Sequence, residues 1–234
     1  MSDGPVFYIS VVCVIIYFLS PSISFYKFNK LADKNEEWKY LPGIQVFSMM
    51  INCMFWIVTA LGNKNDDEDP KIWIINLVGL IISLVFVFMY WISAFTGKFK
   101  EYFIYLFNIC NIIFQIGWGI YYIRGENPDE YGVSKMCAVI FNVFMYLSLY
   151  QNVYFIWKTN DYTKLPIIEA IIGTISTLLW IIYSLTEGKG KTHILIPNSI
   201  SLGFLLIFIG YYAFIRFRKK EANGNEETLK AQFI

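Results

Sequence analysis

KYLPGIQVFSMMINCMFW, residues 39–56, and LPIIEAIIGTISTLLW, residues 165–180, decide how this chain reads. Aligned on their Leu-Pro pairs, Pro42 falls on Pro166, Gln45 on Glu169, Asn52 on Ser176 and Trp56 on Trp180, each at an offset of 124. A helix that only had to fill lipid would use leucine throughout, so each polar or cyclic residue is an oddity alone. Repetition at one offset makes the four a single signal, and fixed-period similarity is the mark of a repeated structural unit. The match continues with slight drift. Asn76, in WIINLVGLIISL, pairs with Asn198, in LIPNSISLGFLL, at an offset of 122. MYLSLYQNVYF at 145–155 echoes YFLSPSISFYKF at 17–28, with Ser20 opposite Ser148 and Pro21 opposite Leu149.

The surrounding composition says where such units live. Of 234 residues, 56% are apolar and only 16% charged, and the mean hydropathy is +0.49. A soluble domain carries about a quarter charged residues. Aromatics at 19% suit a protein with two water–lipid boundaries to anchor. A membrane helix needs about twenty mostly apolar residues, and seven windows qualify: 5–26, 42–61, 72–95, 102–123, 136–157, 166–186 and 193–215. The start of the chain lacks the basic flank and small-residue cleavage site of a signal peptide and reads as a retained first helix. The expected class is an all-α integral membrane protein in the lipid bilayer.

Orientation follows from Lys and Arg alone. Lys27, Lys30, Lys34, Lys39, Lys98, Lys100, Lys158, Lys164, Arg216, Arg218, Lys219, Lys220 and Lys230 fall on one side. Lys64, Lys71, Arg124, Lys135, Lys189 and Lys191 fall on the other, thirteen against six. The richer side is expected to be cytoplasmic, which puts the N-terminus outside and the polar tail 216–234 inside as a flexible cytoplasmic segment. Spans 1–3 (5–95) then repeat as spans 5–7 (136–215), with 102–123 as a linker helix. An odd linker restores direction, so the two units run parallel, a known transporter architecture.

Several chemistries are disfavoured. Cys13, Cys53, Cys110 and Cys137 sit singly inside apolar runs and read as small hydrophobes. His193 is the only histidine, which excludes a histidine metal or catalytic cluster. There is no nucleotide-binding loop and no catalytic triad, so no enzyme activity and no cofactor are expected. No basic, aromatic-interleaved patch points to nucleic acid.

The pieces LSPSISFYKF, LP before Trp56, INLVG, LP before Trp180 and IPNSISLG, in this order and duplicated, resemble the SWEET (MtN3/saliva) sugar transporter family over about residues 8–218. The resemblance implies a 3+1+3 architecture with the N-terminus outside. It implies bidirectional, energy-independent transport of mono- or disaccharides, most naturally at the plasma membrane. Asn76, Asn198, Trp56 and Trp180 would surround a central sugar site, and Asn52 and Ser176 would tune sugar size. Pro21, Pro42 and Pro166 would act as hinges. Leu149 occupies the fourth hinge position, where the family has proline.

The residue chemistry fits a neutral polyol. Asparagine donates and accepts in one side chain, and tryptophan offers a broad apolar face with a single N–H. Rival roles stay open at this level. Asn108, Asn111 and Asn142 read as interhelical glue, Trp56 and Trp180 also fit the interface belt, and Pro42 and Pro166 also fit ordinary helix starts. Glu169 is the clearest ionisable residue within a span; such residues mark proton pathways or span boundaries. A proton-coupled PQ-loop transporter of an amino acid or other solute, and a seven-helix receptor, are the alternative functions. A homo-oligomer is left open, and Gln45 has no assigned role.

Overall fold

The computed structural model describes residues 4–29, 42–62, 71–95, 128–153, 165–186 and 191–232. The expected linker helix at 102–123, with Asn108, Cys110 and Asn111, lies outside the described residues. The elements are α1 (Pro5–Leu19), α2 (Pro21–Asn29), α3 (Gly43–Gly62), α4 (Lys71–Phe95), α5 (Pro128–Leu147), a 3-10 segment (Ser148–Asn152), α6 (Ile167–Thr186) and α7 (Thr192–Gln232).

Polarity is arranged inside out. On α6, Ile168, Ile171, Ile175, Leu178, Ile182 and Leu185 are exposed, at spacings of three and four that trace one helical face. Ser176, Thr177 and Ser184 are buried on the other side. α1 does the same, exposing Tyr8, Val12, Ile16 and Leu19 while burying Ser10. Water would drive such apolar stripes inward; a hydrocarbon surround does not. Among the described residues, Pro5–Lys27, Gly43–Leu61, Ile72–Tyr90, Ile167–Thr186 and Thr192–Arg218 are long and apolar enough to cross a membrane, and Lys135–Tyr150 is a shorter apolar stretch. The chain is an integral membrane protein.

Local chemistry sets the helix ends, and it does so twice. The Pro42 carbonyl accepts from the Val46 N–H at 3.0 Å, and the Pro166 carbonyl accepts from the Ala170 N–H at 3.1 Å. Both prolines thus stand at the mouth of a helix, where a missing N–H costs nothing. Span 1 breaks after Leu19, as a proline flanked by apolar helix requires. Span 5, expected as one helix, breaks at the matching place without a proline. A serine stands at both breaks. The Ser20 hydroxyl donates to the Tyr17 carbonyl at 2.7 Å, and the Ser148 hydroxyl donates to the Met145 carbonyl at 2.6 Å. A side chain that occupies a backbone acceptor competes with the helical ladder.

Leu149 is accordingly in position for a proline it does not have. Leu149→Pro is expected to escape most of the backbone penalty of about 3 kcal/mol that proline brings inside a continuous helix, leaving mainly the lost packing of the buried Leu149 side chain. Thermal unfolding in detergent, run beside Met145→Pro, checks this. Equal losses for the two variants would mean that position 149 does not open a new segment.

Two expectations need correction. The fifth span, expected from residue 136, already begins its helix at Pro128, a proline favoured at a first helical position. The tail is not a separate flexible segment, because α7 runs without a break to Gln232. Its Lys, Glu and Ala residues are good helix formers that extend the span's helix beyond the apolar part.

The helices close into a ring. α1 packs on α4, α4 on α3, α3 on α5, α5 on α7, α7 on α6, and α6 returns to α1. In each half the last span in sequence lies between the other two. The repeat offsets carry α1 to α5, α3 to α6 and α4 to α7, so the α3–α5 and α1–α6 seams are counterparts. Each middle helix carries a small residue at the matching position. A Cβ on Gly79 would strike the Phe18 ring of α1 and sit 2.7 Å from Cys53 Sγ of α3. Its mate in α7 is Ser201, fully buried. Small residues let two neighbours approach one helix from opposite sides.

Candidate functional site

The ring encloses a cavity, part of it open to solvent, whose empty space including that opening is about 550 Å³. All six packed helices line it: Val14 and Phe18 from α1, Asn52 and Trp56 from α3, and Ile72, Ile75 and Asn76 from α4. From the second half come Asn142, Met145 and Tyr146 of α5, Trp180 of α6, and Ile194 and Asn198 of α7. Most of these residues are repeat mates. By the sequence offsets Asn76 is the mate of Asn198, Ile72 of Ile194, Trp56 of Trp180, Phe18 of Tyr146 and Val14 of Asn142.

The mated asparagines are held identically. Asn76 Nδ2 donates to the Ile72 carbonyl at 2.8 Å, and Asn198 Nδ2 donates to the Ile194 carbonyl at 2.7 Å. A carbonyl only accepts, so the amide nitrogen must be the atom that faces it, and the amide oxygen stays available. These bonds lie within each helix. Among the described residues, neither asparagine shows a side-chain hydrogen bond to a neighbouring helix. The two tryptophans, Trp56 buried and Trp180 partly so, are built into the wall too. The Trp56 ring lies 6.0 Å from that of His193, and Trp180 stands edge-on to Phe7 at 6.3 Å.

One end of the cavity is floored by aromatics. The Tyr17 and Tyr146 rings meet at 4.9 Å with a 36° tilt. They close over α6 at Gly173, where a Cβ would lie 3.1 Å from each ring. Gln45 finds its place here: its Nε2 donates to the Tyr17 hydroxyl at 3.5 Å, the outer limit of a hydrogen bond. Its mate Glu169 is buried as well, and its Oε1 accepts from the Ser24 hydroxyl at 2.8 Å. Both first-turn polar residues therefore tie the start of a second span to the end of span 1.

Of the expected binding residues, Asn52, Trp56, Asn76, Trp180 and Asn198 line this one cavity. Ser176 is fully buried but is not on the lining, although its mate Asn52 is. Asn142, read as glue, is on the lining instead. Its register against Val14, set by the Ser20–Ser148 alignment, was the signal that could have found it. Among the described residues there is no group of His, Cys, Asp or Glu able to hold a metal ion.

A helical membrane protein of two similar halves around one uncharged, amide- and aromatic-lined cavity defines the class. Residues 133–222 match the MtN3/saliva family model, described as "Sugar efflux transporter for intercellular exchange". Sugar transporter SWEET1 of Dictyostelium discoideum is 23% identical over 165 residues, which cover 69% of this chain and 71% of that protein. A solved structure of a eukaryotic SWEET transporter shares the fold with a TM-score of 0.63 at 12% identity, over 89% of this chain and 96% of that one. The family model and the curated relative bear out the resemblance read from the residues, and the solved structure shares the fold.

Proposed function

We propose that this protein is a bidirectional, energy-independent sugar transporter that carries mono- or disaccharides by alternating access. The observation that carries the reading is the cavity itself, where two amides and two indoles are mated across an axis through the ring. Amide oxygens accept from sugar hydroxyls, and the aromatic faces take the weakly apolar C–H surface. Among the described residues, no ionisable side chain other than tyrosine lines the cavity, as suits a neutral solute. On this reading, 5–95 and 136–215 are parallel three-helix repeats joined by a linker helix over 102–123. The N-terminus lies outside and the segment 216–234 is cytoplasmic. The two halves rock about the central site, with Pro21, Pro42, Pro166 and Leu149 at the flexing positions. The protein works in the plasma membrane, and no cofactor takes part.

Flux into liposomes containing only this protein tests the proposal. Radiolabelled D-glucose or sucrose should equilibrate at similar initial rates in both directions and stop at equal concentrations. An imposed pH gradient should not change the plateau. Glu169→Gln should retain most of the flux, because glutamine keeps an Oε1 that accepts from Ser24. The buried Glu169–Ser24 pair is the one feature that favours a proton-coupled PQ-loop-type carrier. Accumulation above equilibrium driven by the pH gradient, and lost in Glu169→Gln, would establish that reading instead.

A further inference from the structure

The two halves of the cavity are not equivalent, and the difference lies along one seam. α3 and α5, which pack against each other, contribute Asn52, Trp56, Asn142, Met145 and Tyr146 to the lining. The counterpart seam, α1 against α6, contributes only Val14, Phe18 and Trp180. Mate by mate, Asn142 stands where the other half has Val14. Asn52 stands where the other half has Ser176, which is off the lining. Both extra amides therefore fall on one wall.

These two amides also differ in kind from Asn76 and Asn198. The latter are each anchored to their own helix, whereas Asn52 Oδ1 and Asn142 Oδ1 are buried without a hydrogen-bond partner. Asn52 is only 3% exposed. Buried polar atoms in folded proteins are almost always paired, so two orphans on one wall of one cavity call for a partner that arrives from outside. Water or a hydroxyl-bearing ligand can supply it.

We infer that Asn142, acting with Asn52, is a specificity-determining residue that receives a hydroxyl-bearing edge of the substrate and holds it in one orientation along the α3–α5 wall. This rests on the sugar-transport reading above. A sugar in a site with a true two-fold axis could bind in either of two equivalent poses. Here the mated Asn76 and Asn198 accept from either pose, while the free amides accept from one only. The apolar α1–α6 wall then takes the C–H face against Phe18 and Trp180.

The variant Asn142→Val installs the side chain of its own mate and tests this without opening a large cavity. Influx of radiolabelled D-glucose and sucrose into proteoliposomes identifies the carried sugar, and a series of its monodeoxy analogues is then compared. Wild type is expected to disfavour at least one deoxy analogue about tenfold, the effect of one lost hydrogen bond to a buried group. Asn142→Val should raise the KM for the parent sugar about tenfold at little-changed maximal rate and reduce that discrimination to near unity. Moving the amide across the axis, in Val14→Asn/Asn142→Val, should not restore the parent KM, because Asn52 stays on α3. A merely structural role would lower maximal rate for every analogue alike and leave their ratios intact, which would overturn the inference while leaving sugar transport standing. Full recovery in the double variant would also overturn it, since only the number of amides would then matter. If wild type carries neither glucose nor sucrose, the sugar reading falls and the inference falls with it.

Discussion

Asn76→Ala and Asn198→Ala are each expected to cut sugar flux about tenfold, and together to abolish it, while the protein stays folded. The two halves of that result have separate causes. In the resting site each amide spends its nitrogen on a carbonyl of its own helix, at 2.8 and 2.7 Å. Those carbonyls lie four residues back and belong to the helical ladder, so removing the side chain leaves no acceptor stranded. Alanine is also the better helix former. Unfolding in detergent should therefore shift by no more than about 1 kcal/mol. What is lost is the amide oxygen toward the substrate, and one buried hydrogen bond to a neutral partner contributes about 1 kcal/mol or somewhat more. Initial rates in liposomes, beside melting in detergent, separate the two. Wild-type flux in both variants would remove these asparagines from the site.

Gly79→Ala is expected to have the largest effect on the fold of any single-methyl change described here. The new Cβ would meet both Phe18 of α1 and Cys53 of α3, which are buried and converge on this one point of α4. Neither is a flexible side chain at a free surface, so α1 or α3 must move. Overpacking of this kind costs about 1–3 kcal/mol. Because Phe18 lines the cavity, flux should fall with stability. Gly203→Ala is the matched control: a Cβ there meets nothing within 4 Å, and a helical Gly→Ala change gains up to about 1 kcal/mol. Melting temperatures of opposite sign for the two substitutions are expected. A neutral Gly79→Ala would mean that α1, α3 and α4 do not converge at this point.

The duplicated register was the most legible part of this chain. A constant offset survives drift in residue type, so Trp56 with Trp180 and Asn76 with Asn198 could be matched from the letters alone, and all four line one cavity. Which face of a helix a residue presents was harder to read. The buried sides carry more polar residues than the cavity takes, so Ser176 is buried off the lining while Asn142, read as glue, is on it. The break in span 5 was also hidden, because attention goes to proline, and Leu149 is not one. A serine stands at this break too, with a short hydrogen bond that only coordinates reveal. The ring order could not be read at all. Nothing in the sequence says that the third helix of a unit lies between the first two.

That order has a consequence for how the chain is made. As it leaves the ribosome, α1 and α3 enter the membrane before α4, the helix on which both of them pack. Until then the Gln45–Tyr17 bond is the one described link between them. The other flank of α1 waits longer still, because its neighbour α6 begins only at Ile167. Through most of synthesis, therefore, Asn52, Asn76 and Ser10 stand in a half-built assembly with unfinished walls, open to lipid and to any chaperone that surveys polar groups in the bilayer. Substitutions at the α1–α6 seam should thus show themselves first as lost abundance in the cell, before any defect in the finished carrier can be measured.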